Sequence, residues 1–245
     1  MLVDVHCHLV YGPLKDMLGE VIERIEKNNV IVISCGTELK SNRETLELLK
    51  KSKNIRVALG FYPVHCEEVS KREFDKEIEF IRANKDKIVA ISEVGLDYKE
   101  GKDKELQKEC FQKIIDLSKE IQKPLIVHSR NAELDAIEML ENSKIKDVVM
   151  HCFMGKKSLV KRIIKNNWYF SIPALVIKLE HFQNVVKLTD NLLTETDAPF
   201  LSPVKGKPNE PAFVIEAIKK IAEVKNISLK QTEDLIYKNY QKLFK

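Results

Sequence analysis

The chain has 245 residues, 44% of them hydrophobic, and a formal net charge of +4 from 41 basic and 37 acidic side chains. That length suits one large domain with a full core, and the mixed charge excludes a nucleic-acid-coating protein while mildly favouring an anionic ligand. Five cysteines (Cys7, Cys35, Cys66, Cys110 and Cys152) with no CxxC argue against a disulfide framework or a structural zinc finger.

The N-terminus begins a strand at once, with no signal-peptide pattern, and no apolar run is long enough to cross a membrane. A cytoplasmic protein with no obligate protein partner is expected. Short apolar runs alternate with amphipathic helical patterns throughout. Residues 2–6 form the first strand; Leu14, Met17, Leu18, Val21, Ile22 and Ile25 then recur at helical spacing. The second strand is 30–35, closed by Gly36 and followed by a charged helix around 41–52. The third is 55–59, ahead of a helix over 71–85. The fourth, 88–92, runs into Glu93-Val-Gly-Leu-Asp-Tyr98. The next helix, about 103–122, carries Leu106, Cys110, Ile114, Leu117 and Ile121 on one stripe, and Pro124 stops it. The fifth strand, 124–127, ends at His128, with a helix over 131–142. The sixth, 147–150, ends at His151, before a basic helix at 156–166. The seventh is 168–172, with a short helix at 178–188. The eighth, 192–195, ends near Asp197, and a Pro-rich loop leads to a helical C-terminus.

Eight strand–helix units with near-continuous apolar strands predict a parallel sheet covered by helices. The expected fold is α/β, a single (β/α)8 TIM barrel spanning 1–245. An open doubly wound sheet is the runner-up, but no GxGxxG follows the first strand.

His6 and His8 share one face of the first strand, because side chains alternate with a period of two. They are either half of a metal site or two ordinary polar residues where strand becomes loop. The rest of the chain tips the balance, since Glu93, His128, His151 and Asp197 also fall at strand ends. In a parallel barrel all those ends lie together. Six donors exceed one tetrahedral ion and suit two divalent ions that share a carboxylate and together activate a water. Four imidazoles with two carboxylates favour Zn, Mn, Co or Ni by ligand softness.

Six stretches, Asp4-Val-His-Cys-His8, Ser92-Glu-Val-Gly-Leu-Asp-Tyr98, Pro124-Leu-Ile-Val-His-Ser-Arg-Asn-Ala132, His151-Cys-Phe-Met-Gly155, Glu195-Thr-Asp-Ala-Pro-Phe200 and Asn209-Glu-Pro211, cover nearly the whole chain. Together they resemble the TatD-like metal-dependent hydrolases of the amidohydrolase superfamily. The resemblance implies that His6 and His8 bind one ion, His128 and His151 the second, and Glu93 bridges. Asp197 would touch the first ion and act as general base, so Asp197 and Glu93 are the expected catalytic pair. It also adds Mg to the candidate metals. Arg130 resembles the family's phosphate-facing position, against the alternative of a surface salt bridge. Asp97 and Asn131 are expected to support the site rather than react.

One segment departs from the family pattern. Gly60-Phe-Tyr-Pro-Val-His65 places Tyr62 where a His is expected, and His65 lies one position beyond the usual second His. Tyr62 and His65 are expected to bind substrate. Tyr cannot replace imidazole as an acid at neutral pH. His65 either takes over that role or is an exposed loop residue.

The implied activity is deoxyribonuclease, with DNA as substrate. Candidate backbone contacts are Lys156, Lys157, Lys161, Arg162, Lys165, Lys205 and Lys207. Candidate stacking residues are Tyr11, Phe61, Tyr62, Tyr98, Phe153 and Phe200. Hydrolysis of a small amide, lactone or phosphoester in the same site is the alternative, and a non-catalytic nucleic-acid binder is a third reading.

Overall fold

The computed structural model describes residues 1–244. Its first half comprises β1 (Leu2–Cys7), α1 (Gly12–Asp16), α2 (Leu18–Lys27), β2 (Val30–Cys35), α3 (Leu39–Glu47), β3 (Ile55–Leu59), α4 (Lys71–Ala83), β4 (Ala90–Asp97) and α5 (Lys104–Ile121). The second comprises β5 (Leu125–Arg130), α6 (Glu133–Asn142), β6 (Val148–His151), α7 (Lys157–Lys165), β7 (Tyr169–Ile172), α8 (Glu180–Leu188), β8 (Leu192–Thr194), α9 (Val214–Lys225) and α10 (Leu229–Leu243).

The strands pair in parallel in the order β1 to β8. Registers such as Val32 opposite Ile55 and Phe170 opposite Leu192 align the apolar runs. β8 returns to β1, where Asp197 N donates to His6 O (2.9 Å) and His8 N donates to Ala198 O (2.8 Å). Because β8 is only three residues long, side chains complete the seam: Thr194 Oγ1 donates to Val3 O and Thr196 N donates to Asp4 Oδ1 (2.9 Å). This is the (β/α)8 barrel, and the open doubly wound sheet is excluded. Wholly buried Val3, Val57, Ile91, Val127 and Leu193 show why the strands read as continuous apolar runs: both faces are covered.

Helix starts follow local chemistry. Ser70 accepts from Glu73 N while the Glu73 carboxylate accepts from Ser70 N, and Ser228 and Gln231 repeat this box on α10. Each cap is worth about 1 kcal/mol.

Several boundaries differ from the sequence pattern. The first helical stretch breaks at Met17 into α1 and α2, with the short α1 started by Pro13. The helix expected over 41–52 ends as α-helix at Glu47 and closes with one 3-10 turn. β4 runs on through Glu93 to Asp97, and β8 stops at Thr194.

Two irregularities place the site. Register shifts fall between Asp4 and Cys7 of β1 and between Ile91 and Val94 of β4, the segments that carry His6 and Glu93. Bulges re-aim side chains. Close packing there needs glycine: a Cβ on Gly95 would lie 2.0 Å from His128 O, and one on Gly60 would lie 2.3 Å from the Ser92 carbonyl carbon. Gly95 also has φ of +135°, a conformation side chains rarely adopt.

Candidate metal centre

All six expected donors converge at the C-terminal end of the barrel. His8 Nε2 lies 3.4 Å from Glu93 Oε2 and 3.5 Å from Asp197 Oδ1. His6 Nε2 lies 3.8 and 3.6 Å from the same two oxygens. The other Glu93 oxygen, Oε1, faces His128 Nδ1 at 2.9 Å and His151 Nε2 at 3.9 Å. Glu93 therefore divides its oxygens between two imidazole pairs. The two halves are not insulated, since the His6 and His151 rings stack at 3.9 Å.

The donor set fits divalent cations. His6 Nε2 is buried without any hydrogen-bond partner, an arrangement that costs free energy unless something else satisfies it. Separations of 3.4–3.8 Å around His6 and His8 exceed a normal hydrogen bond. They are close to the edge of about 3.3 Å of a tetrahedron whose ligands sit about 2.05 Å from an ion.

The outer nitrogens of three rings are tied to acceptors, so the inner nitrogens face the cluster. His8 Nδ1 donates to Cys35 O (3.1 Å), His128 Nε2 to Asp97 Oδ2 (2.9 Å), and His151 Nδ1 to Glu195 Oε2 (2.8 Å). Such partners fix tautomer and orientation and raise ligand basicity. His6 Nδ1 lies 3.4 Å from Ser92 Oγ and 3.5 Å from Cys35 Sγ. Cys7, between the two histidines, turns away toward Ile33 O, as strand alternation requires.

Electrostatics divide the imidazoles. Burial, joined by the His151 charge, holds His6 well below the ordinary imidazole value, so it is neutral, as a ligand must be. Burial opposes ionisation of Glu93, yet His128, His6 and His8 outweigh it and hold the carboxyl well below its usual range. For His151 burial is again overcome, chiefly by Glu195, which lifts the imidazole to about 10. These protons compete with any bound cation.

The loop behind Asp197 is built to hold it. Asp197 has a left-handed φ of +56°, which Asp tolerates better than most residues. Thr196 N and Oγ1 both donate to buried Asp4, and Asn209 Nδ2 donates to Thr196 O (2.6 Å). Burial pushes Asp4 up to about 8, against the lowering effect of these donors.

The centre forms the floor of a cleft of about 750 Å³. Tyr62, His65 and Arg130 all line it. Tyr62 commits its hydroxyl to Asp97 Oδ2 (2.6 Å), and His65 donates Nδ1–H to Thr37 O (2.9 Å). Arg130 is exposed, with Nη1 3.3 Å from Glu100 Oε1. Arg130 thus lines the cleft and also makes the surface ion pair that was its alternative. Asp97 supports His128, and Asn131 takes a left-handed turn after β5.

The expected lysine contacts do not line the cleft, and Arg162 of α7 pairs with Glu141 of α6 instead. Phe61 and Phe153 are core, and Tyr98 bonds Asp135. A second depression, outside α4 between Lys71 and Glu79, is remote from this chemistry. Glu195, Ser171 and Asp4 support the site without having been singled out by residue type. Glu195 and Asp4 lie within the quoted motifs, two residues from Asp197 and His6; Ser171 had no sequence signal.

A (β/α)8 barrel with this cluster at the ends of its strands defines a metal-dependent hydrolase. The comparisons agree: the TatD related DNase family model matches residues 3–245, and the chain belongs to that family. It is 38% identical over 245 residues to an uncharacterized metal-dependent hydrolase of Methanocaldococcus jannaschii, covering 99% of this chain and 96% of that one. It is 32% identical over 259 residues to the human deoxyribonuclease TATDN3, covering 99% and 94%. The crystal structure of the TatD homolog YjjV from Escherichia coli superposes with a TM-score of 0.91 at 23% identity, covering 99% and 97%, a likeness of fold. Among the described residues no helix is long and apolar enough to cross a membrane, and all five cysteines are free.

Proposed function

We propose that the protein is a deoxyribonuclease that hydrolyses phosphodiester bonds with two divalent cations, Zn, Mn, Co, Ni or Mg. The observation that carries the reading is the division of Glu93 between two imidazole pairs at the floor of an open cleft. The relative named as a deoxyribonuclease supports DNA as substrate. His6, His8 and Asp197 would hold one cation and His128 and His151 the other, with Glu93 between them.

When bound, the cations supply Lewis acidity and a more acidic water. Asp197 keeps its side chain 15% exposed, on the cleft side of the cluster. It accepts the proton of the attacking water as general base. Arg130 offers a planar fork to nonbridging phosphate oxygens. Tyr62 and Asp97 together hold His128 in place. We assign the protein to the cytoplasm, a compartment in which free thiols such as its five cysteines stay reduced.

The test strips the protein of metal and restores Mg, Mn, Zn or Co, with end-labelled single- and double-stranded DNA and a Glu93→Ala variant alongside. Metal-dependent cleavage that vanishes in the variant is expected. No cleavage by folded, metal-loaded protein would favour a second reading, hydrolysis of a small phosphoester, amide or lactone. That alternative draws support from the cleft, whose volume of about 750 Å³ falls in the range of small-molecule sites.

A further inference from the structure

The cleft has two unlike walls. The ends of β2–β5 and the segments after them bring Thr37, Tyr62, His65, Lys99, Arg130 and Asn131 to it, with Glu133; the segments after β6, β7, β8 and β1, which lie side by side in the closed barrel, bring Met154, Leu175, Leu179, Phe200, Leu201 and Tyr11. On the apolar side, Tyr11 and Phe200 are 54% and 48% exposed yet touch each other, with ring centroids 5.6 Å apart. Phe200 in turn lies 6.2 Å from the ring of His8. An aromatic surface therefore starts beside a candidate metal ligand and leads outward to the rim.

The two residues come from different parts of the chain. Tyr11 sits in the turn after β1, where its N–H donates to His8 O (3.1 Å). Phe200 closes the turn after Asp197, its N–H donating to Asp197 O (2.8 Å). Both turns are anchored on the residues of the centre, so the platform keeps a fixed distance from the chemistry. Exposed apolar surface inside a cleft is a mark of ligand contact. A flat ligand group attached to an anionic one suits this cleft: the flat face meets the aromatic wall, and the anionic part meets the centre and Arg130. Glu133 also lines the cleft and carries the opposite charge, which leaves room for the polar edge of a base more than for a second phosphate.

We propose that Tyr11 and Phe200 form a stacking platform for the nucleobase next to the cleaved phosphate. This deepens the phosphodiesterase reading and rests on it. Stacking is tolerant of sequence because every base has a π face. The platform therefore sets where a nucleotide sits without choosing which one.

The experiment compares two oligonucleotides that differ only in whether the residues flanking the cleaved phosphodiester carry bases or are abasic. Wild-type protein should prefer the base-bearing substrate by roughly 5- to 150-fold in kcat/KM. Tyr11→Ala and Phe200→Ala should collapse that preference, and Phe200→Trp should keep it. Because both side chains are exposed, the variants should melt like the wild type, which calorimetry checks. Independently of turnover, metal-free wild-type protein should quench an oligonucleotide carrying 2-aminopurine at the same position, and Tyr11→Ala should not. A preference that survives both alanine variants, or is absent from the wild type, overturns the platform while leaving the phosphodiesterase reading intact. Failure of the wild type to cleave either oligonucleotide removes that reading, and the platform with it.

Discussion

Asp97 holds His128 from behind: its Oδ2 lies 2.9 Å from Nε2, and the opposite ring nitrogen faces Glu93 at 2.9 Å. The carboxylate is itself saturated. Tyr62 donates to Oδ2 at 2.6 Å, and Lys99 N and Glu100 N donate to Oδ1 at 2.9 and 3.0 Å. Burial opposes its ionisation, but the bond to His128 and the Tyr62 hydroxyl win, and the carboxyl stays well below its usual range. Asp97→Ala should therefore lower metal affinity about 10- to 100-fold, read by titration calorimetry on stripped protein. Tyr62→Phe removes one donor and should cost less. Wild-type affinity in Asp97→Ala would show that His128 needs no support.

Removing metal should lower the melting temperature. The cluster buries Glu93 and Glu195 with the imidazoles of His6, His8 and His151 beside a half-buried His128, leaving His6 Nε2 and Glu195 Oε1 without partners. A cation present at 100 times its dissociation constant stabilises the fold by about 2.7 kcal/mol. For a chain of this size that corresponds to a rise of roughly 5–10 °C. Scanning calorimetry with and without chelator measures it. An unchanged transition would mean that these residues hold no cation tightly.

Asn209→Ala should destabilise the protein and disturb the centre at once. Its side chain is fully buried and donates to Thr196 O, while its own N–H donates to Pro199 O at 3.0 Å. These bonds bracket Asp197 on both sides. The substitution leaves a buried carbonyl without its donor, a loss of about 1–3 kcal/mol. Urea denaturation gives the stability, and metal content after dialysis gives the effect on Asp197. A stability loss with full metal content would confine Asn209 to the fold.

The parts of this site that are legible in the sequence are those carried by strands. His6, His128 and His151 lie within or at the end of apolar runs, where period and chain direction place them together. Glu93 is different: its strand runs on to Asp97, but Glu93, Gly95 and Asp97 interrupt the apolar pattern, so the apolar run read from the sequence ends at Ser92. Glu195 shows the limit most clearly. It sits next to the end of a three-residue strand, and only the placement of β6, β7 and β8 side by side brings it to Ser171 and His151. Asp4 acts across the seam between the first and last strands, a contact separated by 192 residues. No local pattern encodes such partners.

Arg130 gives the sharpest test of substrate charge. It follows His128 by two residues on β5, so both project to the same face. Its ion pair with Glu100 joins side chains that are 45% and 54% exposed, and such pairs contribute little to stability, about 0–1 kcal/mol. Glu100 can thus yield Arg130 to an incoming phosphate at small cost. Arg130→Ala should leave the melting temperature nearly unchanged. It should reduce kcat/KM for phosphodiesters roughly 10- to 150-fold, as expected for loss of a hydrogen bond to a charged group. Uncharged esters should lose far less. Arg130→Lys should recover only part of the loss, because an ammonium lacks the planar fork. Raising salt should narrow the gap between wild type and Arg130→Ala, since screening weakens exposed charges first. An equal loss on charged and uncharged substrates would strip Arg130 of its phosphate role and leave it as a rim residue paired with Glu100.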